Sequence, residues 1–309
     1  MRSKLFTPLN AGAFDLRHRI VVDRGRAEPG GDEISGQTVV TAVDSCLWGG
    51  LVIYDPGTHI WSREEGTSDS ATARSAAAWR SMIDQSKSIG QISLARLTVD
   101  FGPRDTGSKG VVSLEHRGTD EIISIYVRAA RCAKSIGFDG IELDGAIGSI
   151  TDQILLRSPN VRSDGYGKLV DERINVVVEL VDALTNVFGR DRVGVRLSPF
   201  ARDDQHVEGR DVLGEALRAL AEQEISYVHL LDTASLDLPG ASARVGTSSA
   251  KALRNAYPGI LIGSARGCLS YAIELVESRW ADAVCFPDIA VDASLIRHLR
   301  SLWPATGIT

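Results

Sequence analysis

Residues 138–167 read FDGIELDGAIGSITDQILLRSPNVRSDGYG, and this stretch decides the fold. Gly140 to Gly145 is a short run of apolar and polar residues that predicts a β-strand. Ser149 to Leu156 has apolar residues at helical spacing, and a polar loop follows from Ser158 to Tyr166. The stretch therefore predicts a strand that leads through a short helix into a loop.

Two carboxylates occupy the predicted strand. Glu142 and Asp144 are two positions apart, so on a strand their side chains lie on the same face. Asp144 ends the strand and is followed by Gly145 and Gly148, which leave the backbone close to whatever lies above it. This end of the strand is a candidate site for chemistry.

Eight such strands are predicted along the chain, each buried on both faces and followed by a helix. The strands are Arg19–Asp23, Gly50–Asp55, Ile92–Leu97, Gly140–Gly145, Val193–Leu197, Ile225–Leu231, Ile260–Gly263 and Ala283–Phe286. The helices are Thr38–Leu47, Ser70–Ser88, Asp120–Ile136, Ser149–Leu156, Val170–Phe188, Val212–Gln223, Ser248–Tyr257, Leu269–Ser278 and Ala293–Leu302. The fold class is α/β, and a closed (β/α)8 TIM barrel formed by residues 1–309 as a single domain is the economical arrangement. An open doubly wound sheet is disfavoured because no Gly-rich phosphate turn follows the first strand.

The composition is that of an ordinary globular protein. The chain has 309 residues, of which 43% are hydrophobic, and a net charge of −6 that gives no electrostatic footprint for nucleic acid. The four cysteines show no paired spacing and indicate buried thiols in a reducing compartment. With no signal peptide and no apolar run that could cross a membrane, we expect a cytoplasmic protein. Its expected partner is a small-molecule substrate, and assembly into a homo-oligomer stays open.

The stretch resembles the Old Yellow Enzyme family of FMN-dependent ene-reductases and dehydrogenases, which are TIM barrels. The positions that carry the resemblance are Gly137, Phe138, Asp139, Gly140, Glu142, Gly145, Ala146, Gly148, Asp152, Gln153, Asn160, Arg162, Asp164, Tyr166 and Gly167. The resemblance extends over nearly the whole chain, and Arg196 matches the arginine that this family places near the flavin ring. It implies a barrel that binds FMN and oxidises NAD(P)H.

Several positions depart from the family pattern at the residues that do the chemistry. The family's substrate-binding His falls on Asp144, its second His or Asn on Ile147, and its proton-donating Tyr on Ser149. Its flavin-binding Gln falls near Leu94 or Ala95, neither of which has a side chain that can form a hydrogen bond.

The phosphate-binding positions of the family also differ. They hold Ala265-Arg266 and Pro287-Asp288, and Pro287 has no N–H to donate. Asp288 brings a negative charge to the place of a dianion, which costs a few kcal/mol at close range (about 4 Å, effective dielectric near 20). We therefore expect a degenerate phosphate site in which Arg266 and Asp288 pair with each other, and a protein that binds no cofactor.

The charged residues at the strand ends supply the predicted site, because chemistry in such barrels occurs at the carboxyl ends of the strands. Asp144 is predicted as a general acid or base, Glu142 as the neighbour that raises its pKa, and Arg196 as the group that holds an anion. The predicted substrate-binding residues are Arg24, Arg26, Arg96 and Asp232. The implied reaction is isomerisation, dehydration or cyclisation of a small organic molecule without flavin.

Three other interpretations stay open on the sequence alone. One is an FMN-dependent NAD(P)H oxidoreductase of the ene-reductase type with an altered flavin site. Another is a catalytically inactive relic or partner subunit. The last is a Mg²⁺ site built from the strand-end aspartates; no metal site is expected, since the six histidines show no ligand spacing.

Overall fold

The computed structural model describes residues 3–26, 49–57, 70–99, 118–155, 169–198, 207–231, 247–264 and 267–287. The strands in these ranges are β1 (Leu9–Ala11), β2 (Phe14–Leu16), β3 (Ile20–Arg26), β4 (Leu51–Asp55), β5 (Ile92–Leu97), β6 (Gly140–Gly145), β7 (Val193–Leu197), β8 (Tyr227–Leu230), β9 (Leu261–Ser264) and β10 (Ala283–Pro287). β1 and β2 pair as an antiparallel hairpin, and β3 to β10 are parallel neighbours in chain order. β10 pairs back with β3 and closes the barrel. The predicted TIM barrel is confirmed.

Helices alternate with the barrel strands, as predicted. Within the described ranges they are α1 (Ser70–Ser88), α2 (Thr119–Ile136), α3 (Ile150–Leu155), α4 (Val170–Phe188), α5 (Val207–Glu222), α6 (Thr247–Ala256) and α7 (Leu269–Glu277). None of these is both long and apolar enough to cross a membrane. The predicted helices Thr38–Leu47 and Ala293–Leu302 lie outside the described residues.

One predicted helix cap is wrong. The sequence predicts Thr119 as the N-cap of α2, but Thr119 is already helical and Gly118 occupies the cap without a side-chain hydrogen bond. A glycine cap is compatible with the extended backbone at this position, and Asp120 and Glu121 in the first turn complement the helix dipole instead.

The outer layer of the core lies between the strands and the helices. Trp79 of α1 is fully buried against Tyr54 of β4 and Phe138, with ring centroids 5.6 Å and 5.8 Å away. Such offset and edge-on aromatic contacts stabilise beyond the area that they bury. This layer attaches the helices to the barrel.

The inner layer fills the N-terminal end of the barrel with apolar side chains. Phe14 of the β1–β2 hairpin packs among inward-facing residues that include Leu51, Leu94 and Tyr227. Two polar contacts fix the hairpin here: Ala13 N donates to Asp191 O at 2.9 Å, and Ser226 Oγ donates to Ala11 O at 2.8 Å. We call this closed end of the barrel the floor.

Alternation along the strands then changes the chemistry of the interior towards the carboxyl ends. Arg96 follows Leu94 by two positions on β5, and His229 follows Tyr227 by two on β8. Residues two apart on a strand share a face, so each charged or polar side chain projects into the barrel one layer above an apolar one. We call this polar end of the interior the mouth.

Candidate active site

Five charged side chains from four strands form one continuous set of ion pairs at the mouth, which we call the ionic chain. Its members in order of contact are Glu142, Arg96, Asp23, Arg196 and Asp144. Carboxylates and guanidinium groups alternate along the ionic chain, so each charged group contacts a group of opposite charge. The arrangement brings together all three predicted catalytic residues.

Arg96 is the centre of the ionic chain. Its Nε donates to Glu142 Oε1 at 2.9 Å, while Nη1 and Nη2 donate to the two oxygens of Asp23, both at 2.8 Å. The guanidinium thus forms a bidentate pair with one carboxylate and a second ion pair with another. The side chain of Arg96 is 2% exposed and that of Glu142 is fully buried.

The lower end of the ionic chain is anchored in the barrel interior. Glu142 Oε2 accepts from the Tyr227 hydroxyl at 3.1 Å and lies 3.1 Å from His229 Nδ1. His229 is itself fully buried. Glu142 therefore has a hydrogen-bonding partner on both carboxylate oxygens, as a buried charge requires.

The upper end of the ionic chain reaches the mouth. Arg196 donates through Nε at 2.9 Å and Nη2 at 2.8 Å to Asp144 Oδ1, and Ala146 N donates to the same oxygen at 3.0 Å. Arg196 Nη1 also contacts Asp23 Oδ2 at 3.4 Å. The Arg196 side chain is 13% exposed, so this guanidinium is accessible where that of Arg96 is not.

The arginines of the ionic chain lower the pKa of two of its carboxyl groups, Glu142 and Asp23. Burial alone would raise the pKa of Glu142, but Arg96 and His229 outweigh it and lower this pKa to about 2. Burial is likewise outweighed at Asp23, where Arg96 and Arg196 hold the carboxyl pKa well below its usual range. Burial and the Glu142 carboxylate together raise the pKa of the Tyr227 hydroxyl. Glu142 and Asp23 are therefore ionised and Tyr227 is neutral at neutral pH.

The other predicted site residues are distributed differently. Arg24 lies half-buried on β3, and Arg26 ends that strand. Asp232, Arg266 and Asp288 lie outside the described residues, so the predicted substrate-binding role of Asp232 and the predicted pair between Arg266 and Asp288 stay predictions.

The position that the resemblance assigns to a proton-donating tyrosine has a structural function here. Ser149 Oγ accepts from Asp152 N at 3.1 Å, and Ser149 O accepts from Gln153 N at 3.0 Å. A hydroxyl that accepts from the backbone three residues later is a helix cap. Ser149 therefore stabilises the start of α3.

Sequence reasoning missed three members or partners of this site: Asp23 as a link, and Tyr227 and His229 as anchors. Tyr227 and His229 are two positions apart on a strand, as Glu142 and Asp144 are, so their common inward face was readable from spacing alone. Their contact with Glu142 depends on the register between β6, β7 and β8, which aligns Arg196 with both Asp144 and His229.

A sequence model of the NADH:flavin oxidoreductase / NADH oxidase family matches residues 99–254, half of the chain. The chain belongs to this family. A probable flavin mononucleotide-dependent alkene reductase of Leishmania infantum is 34% identical over 195 residues, covering 60% of this chain and 52% of that protein. The 12-oxophytodienoate reductase 2 of Arabidopsis thaliana is 27% identical over 358 residues, covering 99% of this chain and 94% of the relative.

The fold of this flavin oxidoreductase family member is also that of solved structures. A morphinone reductase structure superposes with a TM-score of 0.76 at 22% identity, covering 97% of this chain and 90% of that one.

The expectation of a protein without a cofactor is wrong. The family is one of FMN-dependent enzymes, and the Leishmania relative is named for its flavin mononucleotide. The flavin-independent isomerase or lyase interpretation is consequently unsupported, and the FMN-dependent alternative is the better one. That expectation depended on several changed positions, Pro287 and Asp288 at the phosphate site among them, and gave too little weight to Arg196, which the resemblance places near the flavin ring.

The mouth offers groups that suit the ring system of a flavin. The pyrimidine edge of an isoalloxazine presents acceptors at N1, O2 and O4 and a donor at N3, and Arg196 with Asp144 supplies both donors and an acceptor. Near the end of β3, a Cβ added to Gly25 would meet no atom of the described residues within 4 Å. The donors and the acceptor in the described part of the mouth therefore suit the polar edge of the ring, and Arg196 and Asp144 are the residues that would hold it.

Proposed function

We propose that the protein is an FMN-dependent NAD(P)H oxidoreductase of the ene-reductase type, acting on a small organic molecule. The observation that carries this proposal is Arg196, a partly exposed guanidinium at the mouth of a barrel whose family uses flavin. When bound, FMN supplies hydride transfer between a nicotinamide and an electron-poor double bond.

The role of Arg196 is electrostatic. The fixed guanidinium of Arg196 would stabilise negative charge on the pyrimidine side of a bound flavin without reorganising. Asp144 holds Arg196 through two hydrogen bonds to one oxygen, which fixes the plane of the guanidinium. Together these two residues would bind and orient the flavin ring, and Asp144 keeps the positive charge of Arg196 at a fixed position.

The role of Asp144 differs between its two oxygens. All three hydrogen bonds that the described residues donate to this carboxylate go to Oδ1. Oδ2 is thus the oxygen with capacity to accept from a ligand, such as a hydroxyl, an amide or an N–H group. We propose Asp144 as a ligand-orienting acceptor at the mouth.

The test is a direct assay of cofactor and activity. The purified protein is examined by absorbance, its released small molecules by mass spectrometry, and its affinity for added FMN by fluorescence quenching. NADH and NADPH oxidation is then followed anaerobically with and without 2-cyclohexen-1-one as the probe alkene. We expect yellow protein with stoichiometric FMN, reduced by a nicotinamide and reoxidised by the alkene.

Two results would contradict the proposal in different ways. A colourless protein that does not quench FMN fluorescence would remove the cofactor altogether. Bound FMN that no nicotinamide reduces would favour the inactive relic or partner subunit instead. An Arg196→Lys variant separates the effect of charge from that of geometry, since it keeps the positive charge but loses the planar pair with Asp144.

A further inference from the structure

We propose that Arg96 is a positioning residue, which fixes the orientation of Arg196 by holding Asp23 between the two guanidinium groups. The proposal rests on the proposed function, in which Arg196 contacts the flavin. Arg96 itself lies in the buried, deeper part of the mouth and acts on the ligand only through Asp23.

The Arg96 side chain is fixed in one orientation. Its three guanidinium nitrogens all donate to carboxylates, and the side chain is 2% exposed. Glu142, on one side, is held in turn by Tyr227 and His229. A buried guanidinium with both edges occupied by well-anchored partners has one rotamer available to it.

Asp23 is shared unequally between the two arginines. Arg96 donates to both of its oxygens at 2.8 Å, and Gly25 N donates to Oδ1 at 2.9 Å, whereas Arg196 Nη1 lies 3.4 Å from Oδ2. Arg96 thus satisfies most of the charge on Asp23. Arg196 is left to pair chiefly with Asp144, at 2.8 Å.

Loss of the charge on Arg96 would change the partner of Arg196. Asp23 and Glu142 would then be two ionised carboxylates with no cation between them, and Arg196 would be the nearest guanidinium. Coulomb attraction would draw Arg196 downwards, away from Asp144 and from a ligand above the mouth. Arg96 therefore determines whether the donors of Arg196 face the ligand or the barrel interior.

The test compares four proteins: the parent, Arg96→Gln, Arg196→Gln and the double variant. FMN dissociation constants are measured by fluorescence quenching, and the absorbance spectrum of bound FMN reports the environment of the ring. We expect Arg96→Gln to weaken FMN binding by about tenfold to a hundredfold, the value of a charge-assisted hydrogen bond. In the Arg196→Gln background the same change should alter the dissociation constant by less than about twofold.

Further variants separate positioning from a general loss of structure. Asp23→Asn should change the absorbance spectrum of bound FMN in the same way as Arg96→Gln does. Arg96→Lys should bind FMN more tightly than Arg96→Gln, since it keeps the charge without the bidentate geometry. Arg190→Gln is the matched control, because it removes an arginine from an ion pair with Asp182 in which both side chains are about half exposed. Additive effects of Arg96→Gln and Arg196→Gln on FMN affinity would overturn the proposal.

A parallel measurement keeps this inference separate from the proposed function. The same four proteins are unfolded in urea without FMN, which gives the coupling between Arg96 and Arg196 from stability alone. A coupling of more than about twofold in the unfolding equilibrium constant supports positioning, and additivity within about twofold overturns it. A parent that binds no FMN would thus defeat the proposed function, and the unfolding cycle would still decide the role of Arg96. If Arg96→Gln does not fold, Arg96→Lys takes its place in both cycles.

Discussion

The floor and the mouth of the barrel use successive inward-facing residues of the same strands, such as Leu94 and Arg96 on β5. Different interactions nevertheless stabilise the two regions. At the floor, Phe14 and Leu94 are buried among apolar neighbours, and close packing decides which side chains fit. At the mouth, two layers of charge are held by pairing, and each member depends on its neighbours. Tyr227 spans the boundary: its ring packs over Gly194 at the floor, and its hydroxyl reaches Glu142.

Because of this difference, similar losses of stability should have opposite signatures in the two regions. A defect at the floor should be insensitive to pH and should leave ligand binding intact, because it removes contacts that carry no charge. A defect at the mouth should depend on pH and should alter the site. Five variants or conditions test this contrast, taken in decreasing order of expected effect.

Phe14→Ala should have the largest effect. It removes a buried aromatic side chain that closes the floor, and it should lower the free energy of unfolding by about 3–5 kcal/mol. The loss should be the same at pH 5 and pH 8, as measured by urea unfolding. FMN affinity should change by less than about twofold, because the cavity is a full layer below the mouth. A pH-dependent loss would show that the two regions are not independent.

Acidification should break the mouth while sparing the floor. The pKa of Glu142 is lowered to about 2, so its contribution to stability is present above the pKa of the unfolded chain and is lost as pH falls through 2. The difference corresponds to about 3 kcal/mol, lost between pH 5 and pH 2.

The matched variant for this titration is Glu142→Gln. It should flatten the fall in unfolding free energy between pH 5 and pH 2, although Asp23, whose pKa is also depressed, keeps part of the slope. An unchanged slope in Glu142→Gln would mean that Glu142 does not carry this charge-dependent stability.

Gly194→Ala should disturb the boundary between the two regions. A Cβ at Gly194 would lie 2.2 Å from the Tyr227 ring, so the ring must move, at a cost of about 1–3 kcal/mol. Because the Tyr227 hydroxyl would shift away from Glu142 and stabilise its carboxylate less, the fall in unfolding free energy between pH 5 and pH 2 should be shallower in this variant. Gly214→Ala in α5 is the control: among the described residues its Cβ meets only the end of the Arg218 side chain, at 3.9 Å, and it should stabilise slightly. Equal acid sensitivity of both variants would contradict the connection through Tyr227.

Arg190→Gln should have the smallest effect, because its ion pair lies on the surface, outside both the floor and the mouth. Its pair with Asp182 is about half exposed on both sides, and such surface pairs contribute about 0.2–1 kcal/mol. The difference from the parent should disappear in about 0.5 M salt, in contrast to any variant of the ionic chain. A loss of more than about 2 kcal/mol would show that exposure is a poor guide to pair strength here.

The sequence predicts the barrel well because each central strand is a short β-branched or aliphatic run between clear breaks. β5, β6 and β7 begin and end where the sequence predicts. The β1–β2 hairpin is not predicted, since its strands have three residues each and carry no alternation long enough to recognise.

The site is predicted only in part, for a geometric reason. Spacing within one strand places Glu142 and Asp144 on a common face, and the match of Arg196 to a family position places it nearby. The contacts from Arg96 to Asp23 and Glu142 depend on how three strands are staggered around a closed barrel, which one sequence does not encode locally. The predicted influence of Glu142 on Asp144 also omitted the two arginines that stand among these carboxylates.

All three nitrogens of the Arg96 guanidinium are hydrogen-bonded to carboxylates, and this has a consequence for engineering the site and for its evolution. A single replacement at Arg96, Asp23 or Glu142 leaves a buried charge without its partner. Each of these replacements made alone therefore gives a destabilised protein. A simultaneous exchange of Arg96 and Glu142 for apolar residues of similar volume avoids that intermediate, and it would leave Asp23 to Arg196 alone. New specificities at this mouth are therefore reached by libraries that vary these positions as linked sets, whereas saturation of one position at a time would return mainly unstable clones.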